Sequence, residues 1–341
     1  MNSAPRAFWS VTPNQTSSPY VRNIATALEA LGWDVAQLSV RDLASSQEQI
    51  IHIQWPEHVS RGPGTARTVA KHLRALALLE VLKRRRHRVV VTAHNLAPHG
   101  ASDAFDEWFR AQILTLAKAV IVLVPAHEKQ LRLSGQIASH TIVHSIRHPV
   151  DEVAATGPVS AERQSLLILG RIDPYHRILE FVDALIELGN TREVKIVGQV
   201  GDTELVDSLS LRARNTPWLH VHAGYASDQE LASVVDRTAA VVSLQRTPFN
   251  SGGPYFALPR NIPAVLTAGA QARDIEDKVG SDWVFEVPQS ENQLDLAKFE
   301  AWLRRDRSQP DLGLFTAAAV AEAHIEVYRT LLSKENQLPK E

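Results

Sequence analysis

Apolar positions along the chain follow two periods. Short apolar runs at Ala7–Val11, Asp34–Val40, Ile50–Trp55, Arg88–Ala93, Ala119–Val124 and Thr141–Ile146 predict strands in the first half. Between them, Tyr20–Leu31, Thr65–Arg85 and Ser102–Ala117 repeat apolar residues at helical spacing. The second half repeats the scheme. Its strands are predicted at Ser165–Gly170, Glu193–Val197, Leu219–His222, Ala239–Leu244, Ala264–Thr267 and Val284–Val287. Helical patterns at Arg177–Leu188, Asp202–Arg214 and Asp228–Asp236 lie between them. Such alternation implies α/β domains with parallel sheets covered on both faces. The polar, small-residue stretch Asp151–Arg163 predicts the boundary, giving domains over 1–155 and 156–341. A final helix, about Asp311–Lys334, is placed to cross back onto the first domain.

A length of 341 residues suits two cores. With no cysteine there is neither a disulfide nor a thiolate metal site, which fits a reducing compartment. No basic-then-apolar leader opens the chain and no run has the length of a membrane span, so a cytoplasmic location is expected. Charge is uneven. Residues 1–150 hold 17 Lys+Arg against 10 Asp+Glu, leaving 19 against 28 in the remainder. This reflects either solvated faces or an N-terminal half that meets something anionic. The segment Lys71–Arg88, with apolar Val69, Leu73, Leu76 and Leu79 and the basic end Lys83-Arg84-Arg85-Arg86-His87-Arg88, allows both versions. It reads as a sheet-covering helix with a charged exit, or as a contact for anionic lipid. No aromatic interleaving or motif accompanies the basic residues, so no nucleic-acid partner is expected. The 14 histidines show no compact ligand spacing: His144 and His148 straddle a strand end before Pro149, and no metal is expected.

Candidate chemistry gathers at predicted strand ends. The run Leu166–Leu169 stops at Gly170-Arg171: glycine permits close backbone approach and arginine supplies a permanent cation. That is suited to a phosphate, or to a surface ion pair. Asn250-Ser251-Gly252-Gly253-Pro254 precedes a short helix and reads as a phosphate-cradling loop or a simple turn. His94 and Asn95 end another strand, with His99 further along the loop. A histidine there can serve as a base or bond to backbone. Trp55 offers an apolar platform, and Glu57 a carboxylate that is either a base or a helix cap. Tyr20 and Arg22 open the first long helix, where they either touch a ligand or set the helix start with Pro19. After Ala7–Val11 the chain runs Thr12-Pro13-Asn14-Gln15, without the glycine fingerprint of a dinucleotide oxidoreductase.

Five stretches together resemble bacterial nucleotide-sugar glycosyltransferases of GT-B architecture, closest to the exopolysaccharide-type mannosyl- and glucosyltransferases. They are Ser18-Pro19-Tyr20-Val21-Arg22, His52-Ile53-Gln54-Trp55-Pro56-Glu57, Thr92-Ala93-His94-Asn95-Leu96-Ala97-Pro98-His99, Gly170-Arg171-Ile172-Asp173-Pro174-Tyr175 and Asn250-Ser251-Gly252. The resemblance implies two Rossmann-like domains whose parallel sheets face each other across a cleft. It implies a sugar moved from a GDP- or UDP-sugar, with GDP-mannose the leading donor, to a lipid-linked saccharide for surface or extracellular polysaccharide. No cofactor and no metal are implied, since protein cations and amides stabilise the diphosphate. A position at the inner face of the membrane follows from such an acceptor. Donor binding falls to Gly170, Arg171, Arg177 and Asn250–Gly253, with base and ribose contacts around Gly198–Asp202 and Gly224–Tyr225. Acceptor contacts fall to Tyr20, Arg22, Trp55, Asn95 and His99. His94 is implied to orient the sugar, and Glu57 is the base if the anomeric centre inverts. Two departures stand out. The family places a lysine shortly after the aromatic residue of the Gly-Arg turn, where this chain has His176 and Arg177. The retaining branch carries two glutamates around the glycine-rich loop; aligned on Ala257 and Pro263, those positions are Pro248 and Phe256. This leaves open the sugar and its stereochemical outcome, a binding protein of the same fold that has lost catalysis, and a nucleotide-sugar epimerase.

Overall fold

The computed structural model describes residues 4–333 apart from 17, 46–47, 62–64, 86, 96–102, 152–162, 225, 227 and 290–293. The expected boundary segment, His99 and its preceding loop, Arg86, Tyr225 and the polar tail fall outside the described residues.

The first unit, Met1–Pro149 with Gly313–Glu341, is built on β1 (Arg6–Trp9), β2 (Asp34–Gln37), β3 (Ile50–Ile53), β4 (Arg88–Ala93), β5 (Ala119–Val122) and β6 (Ile142–Ser145). Its helices are α1 (Pro19–Ala30), α2 (Val40–Ser45), α3 (Pro56–Ser60), α4 (Thr65–Arg84), α5 (Ala104–Leu116) and α6 (His127–Leu133). The strands form one parallel sheet in the order β2-β1-β3-β4-β5-β6. Each lies where its apolar run predicts, with ends moved by at most about three residues.

The second unit, Val150–Leu312, carries β7 (Ser165–Leu169), α7 (Ile178–Glu187), β8 (Val194–Gly198), α8 (Thr203–Arg214), β9 (Leu219–Ala223), α9 (Asp228–Asp236) and β10 (Thr238–Ser243). It continues with α10 (Gly253–Ala257), β11 (Ala264–Thr267), α11 (Ala270–Val279), β12 (Val284–Val287) and α12 (Leu296–Leu303). Its parallel sheet runs β12-β11-β10-β7-β8-β9, the doubly wound order in which the direction of strand addition reverses between β7 and β10. The two sheets are the pair of Rossmann-like sheets that the alternation predicts.

The last helix, α13 (Ala317–Ser333), belongs to the first unit. Val320, Ala321, Ile325, Tyr328 and Leu331 share a core with Ala7, Trp9, Val21 and Ile24. Each large apolar side chain buried there contributes roughly 1.5–3 kcal/mol, so the C-terminal segment is part of the N-terminal core's stability.

One expectation is overturned on α4. The sheet is covered by Ala75, Leu78, Leu79 and Leu82, so of the four apolar positions expected to do so only Leu79 does. Val69, Leu73 and Leu76 face solvent, 53%, 65% and 42% exposed. At 100° per residue the two sets fall on opposite sides of the helix, and the sheet can accept only one of them.

Candidate functional site

In doubly wound sheets, ligands bind beyond the carboxyl ends of the strands flanking the reversal point. In the second unit those ends are Gly170-Arg171 after β7 and Leu244 onward after β10. Gly170 adopts φ +124°, a conformation that favours glycine. The turn packs on β8 so closely that a Cβ at Gly198 would lie 1.5 Å from the Gly170 carbonyl oxygen. A Cβ at Gly201 would lie 2.7 Å from Arg171 Nε. Two glycines thus make room for the turn that carries Arg171. Its guanidinium is largely exposed and donates from Nε to Asp173 Oδ2 at 2.8 Å. A pocket lined by Gly170, Arg171, His176, Arg177, Ser243 and Leu244 opens beside it.

Arg177 lines this pocket from a less exposed position than Arg171. It is buried at the start of α7 and donates from Nη1 to the Pro288 carbonyl at 2.6 Å. The Asn250–Gly253 turn is fastened to its own unit. Ser251 and Ser243 share a hydroxyl–hydroxyl bond of 2.5 Å, and the Ser251 hydroxyl accepts from the Gly253 amide at 3.2 Å. Gln271 accepts from the Ser251 amide at 3.0 Å and donates back to its carbonyl at 2.8 Å. The helix that follows is only five residues long. Two of the amides counted for a phosphate are therefore engaged by the protein, and Gln271, on α11, is a holder that no local motif marks. Pro248 and Phe256 lie in the same region, where Arg260 stacks over Phe256 at 3.9 Å and pairs with Asp151 at 2.9 Å.

In the first unit, Trp55, Glu57, His94 and Asn95 line one pocket together with Gln54 and Arg110. Trp55 stacks on His94 with ring centroids 4.0 Å apart, and Tyr20 meets His94 edge-on at 4.8 Å. His94 Nε2 lies 3.1 Å from Gln54 Oε1; an amide oxygen only accepts, which assigns the proton to Nε2. Behind Gln54, buried His52 places Nδ1 2.5 Å from the Tyr328 hydroxyl and Nε2 2.7 Å from Thr92 Oγ1. Burial, with the neighbouring His324 and His94, pulls the His52 pKa well down, so the ring is held neutral. Glu57 occupies the first turn of α3, where the helix dipole favours a carboxylate. Arg110, from α5, donates to the Asn95 carbonyl at 3.2 Å; burial lowers its pKa while Glu57 acts to raise it. Tyr20 is buried behind His94, burial pushing its phenol pKa up. Arg22 is exposed and does not line this pocket.

Among the described residues, one group brings metal-ligand atoms within 4.8 Å of one another: His72, Asp103 and Asp106. Asp106 is already matched by Ser60 at 2.5 Å and by two Arg61 nitrogens at 2.9 and 2.6 Å. Burial works to raise its pKa, but these partners outweigh it and hold the carboxyl below its usual range. The Arg61 guanidinium already supplies a positive charge to the Asp106 carboxylate.

No family model matches the sequence. Over 337 residues the chain is 26% identical to a GDP-mannose:glycolipid 4-beta-D-mannosyltransferase of Xanthomonas campestris pv. campestris, covering 95% of this chain and 91% of the relative. Among solved structures, a sucrose-phosphate synthase from Thermosynechococcus elongatus superposes with TM-score 0.69 at 16% identity, over 97% of this chain and 100% of the other. HepE of Anabaena, solved with UDP and glucose, gives 0.60 at 14% identity, over 98% and 100%. With its two Rossmann-like sheets, the chain has the GT-B fold of these glycosyltransferase structures, and over nearly its whole length its sequence is similar to the mannosyltransferase of Xanthomonas.

Proposed function

We propose that this enzyme transfers mannose from GDP-mannose to a glycolipid in surface or extracellular polysaccharide synthesis. The second unit takes the donor: Arg171, with the Asn250–Gly253 turn, faces the diphosphate as it leaves. The first unit takes the acceptor, with Trp55 stacking a sugar ring and Asn95 beside it. A β-mannoside formed from an α-linked nucleotide donor inverts the anomeric carbon. Glu57 accepts the proton of the acceptor hydroxyl, its oxygen bonds to the anomeric carbon, and the bond to the diphosphate breaks to release GDP. His94 orients the sugar, itself aligned by Gln54 and Trp55. The retaining branch's glutamate positions, occupied by Pro248 and Phe256, are not needed for this route.

The observation that supports the reading most is the Gly170-Arg171 turn at the reversal point of a chain similar end to end to mannosyltransferases. Calorimetry with GDP, UDP and ADP in metal-free buffer tests it. GDP is expected to bind most tightly, and Arg171→Ala to weaken it about tenfold to a hundredfold, the loss of one charge-assisted phosphate contact. Absence of binding by all three nucleotides would remove the donor assignment.

A glycolipid acceptor calls for a surface that meets lipid. No described helix is long and apolar enough to cross a membrane. The outward face of α4 supports peripheral contact instead: Val69, Leu73 and Leu76 are exposed, and Lys83 and Arg84 follow on the same side. Glu80 interrupts the stripe but is paired with Arg84. The protein is expected to sediment with phosphatidylglycerol-rich vesicles, and a Val69→Ser/Leu73→Ser/Leu76→Ser variant to remain in the supernatant. Equal sedimentation of both proteins would reject this surface.

A further inference from the structure

A second cavity in the first unit, of about 110 Å³, is lined by the polar residues Ser10, Gln15, Gln37, His58, Lys71 and Arg74, with Leu38, Val40, Val59 and Leu78 completing its wall. It lies beyond the carboxyl ends of β1 and β2, where parallel sheets receive ligands. Among the described residues no carboxylate lines it. Lys71 and Arg74, a turn apart on α4, therefore bring two positive charges to one concavity of mixed polar and apolar lining. Partial burial, and then the charge of Arg74, lower the pKa of Lys71, which an anion between them would relieve.

The donors around the cavity have capacity to spare. Lys71 donates to the His58 carbonyl at 2.8 Å and Arg74 to the Leu38 carbonyl at 3.0 Å, contacts that use part of an ammonium's three and a guanidinium's five hydrogens. The Ser10 oxygen accepts from the Gln54 amide at 2.9 Å, which leaves its hydroxyl hydrogen to donate. Gln15 Oε1 accepts from Thr12 through both the amide, at 3.1 Å, and the hydroxyl, at 3.3 Å, leaving its NH₂ as donor.

The cavity adjoins the pocket of Trp55, Glu57 and His94. The short helix α3 divides them: Glu57 lines one and the next residue, His58, the other. The Trp55 and His58 rings lie 5.3 Å apart across that divide. A ligand held in both pockets would meet an aromatic platform and a carboxylate on one side and two cations on the other.

We infer that this cavity is an anion subsite, which takes the carboxylate or phosphate of a charged acceptor saccharide while the reacting hydroxyl lies at Glu57. The inference rests on the reading that the first unit holds the acceptor. An acceptor with an acidic sugar or a sugar phosphate is thereby preferred over a neutral one, and the preference weakens as salt screens the two cations.

Calorimetric titration of the whole chain with three probes tests this: a methyl hexuronide, a hexose 1-phosphate and a neutral methyl hexoside. At least one anionic probe is expected to bind and the neutral one not to, and the anion that binds identifies the source of the charge. A Lys71→Gln/Arg74→Gln variant is expected to lose about tenfold or more in affinity, while Lys71→Arg, which keeps the charge, retains binding. GDP affinity, measured on the same samples, belongs to the other unit and reports separately on the donor reading. Anion binding that persists in the double variant, or no binding by either anion while GDP still binds, overturns the subsite. Anion binding that depends on Lys71 and Arg74 supports it even if GDP does not bind, in which case the donor assignment alone falls.

Discussion

Glu57→Gln is expected to abolish most transfer while leaving GDP affinity unchanged. Removal of a positioned general base costs typically about 10²–10⁴ in rate. Glutamine keeps the size and polarity of the side chain in the first turn of α3, so the substitution isolates the proton-accepting role from packing. The competing account of Glu57 is that of a helix-terminus charge, a role of about 0.3–1 kcal/mol in stability with no effect on turnover. The two accounts part clearly in single-turnover kinetics with saturating donor and acceptor. A variant that turns over within a few fold of the parent, with a slightly lower melting temperature, would assign Glu57 to the helix and move the base elsewhere in the pocket. Arg110 sharpens the comparison. It bonds the Asn95 carbonyl and feels the Glu57 charge, so neutralising Glu57 also alters the local field. A fall confined to transfer, with the melting temperature and GDP binding held, distinguishes lost chemistry from a collapsed pocket.

The strands of both sheets were legible because a buried parallel strand is a short apolar run with little room for ambiguity. Helices were legible as segments but less so as faces. On α4, apolar residues occur all round the N-terminal turns, and periodicity alone cannot say whether Val69, Leu73 and Leu76 or Ala75, Leu78 and Leu82 meet the sheet. The helix α11, Ala270–Val279, is mostly polar, yet Ala272, Ile275 and Val279 are buried and Gln271 grips the Ser251 turn. The strand-end positions of the candidate residues Trp55, His94 and Gly170 could be read from sequence, since each stands at or just after the end of an apolar run. Partners reached through the fold could not. Arg110 stands in the middle of a sheet-covering helix, and Tyr328 meets His52 across 276 residues of chain. Nothing local marks either. For the same reason the pairing of Arg171 with Asp173 and the burial of Arg177 were not readable from the Gly-Arg turn itself.

The largest structural effect is expected from Gly198→Ala, a change of one methyl group. Gly198 closes β8, and its added Cβ would sit 1.5 Å from the oxygen, 2.6 Å from the carbon and 3.3 Å from the nitrogen of Gly170. All three are backbone atoms, so no rotamer change relieves the overlap. Either β7 and β8 separate, breaking the Gly170 amide's 3.1 Å bond to the Val197 carbonyl, or the Gly170 turn moves. Core overpacking commonly costs about 1–3 kcal/mol, and an overlap between two main chains belongs at or above the top of that range. Because the turn that must move carries Arg171, GDP affinity is expected to fall along with stability. Gly252→Ala supplies the contrast in stability: its Cβ would meet nothing within 4 Å and its φ of −74° suits alanine, so stability should change by no more than about 1 kcal/mol. Thermal melts and GDP calorimetry on both variants decide the matter. A Gly198→Ala protein that melts with the parent and binds GDP normally would mean that the close approach of β8 to the Gly170 turn does not hold in solution. A Gly198→Ala protein that loses both stability and GDP affinity, beside a Gly252→Ala one that melts with the parent, ties the donor site to the spacing of β7 and β8, a constraint imposed by the absence of a side chain rather than by any contact one makes.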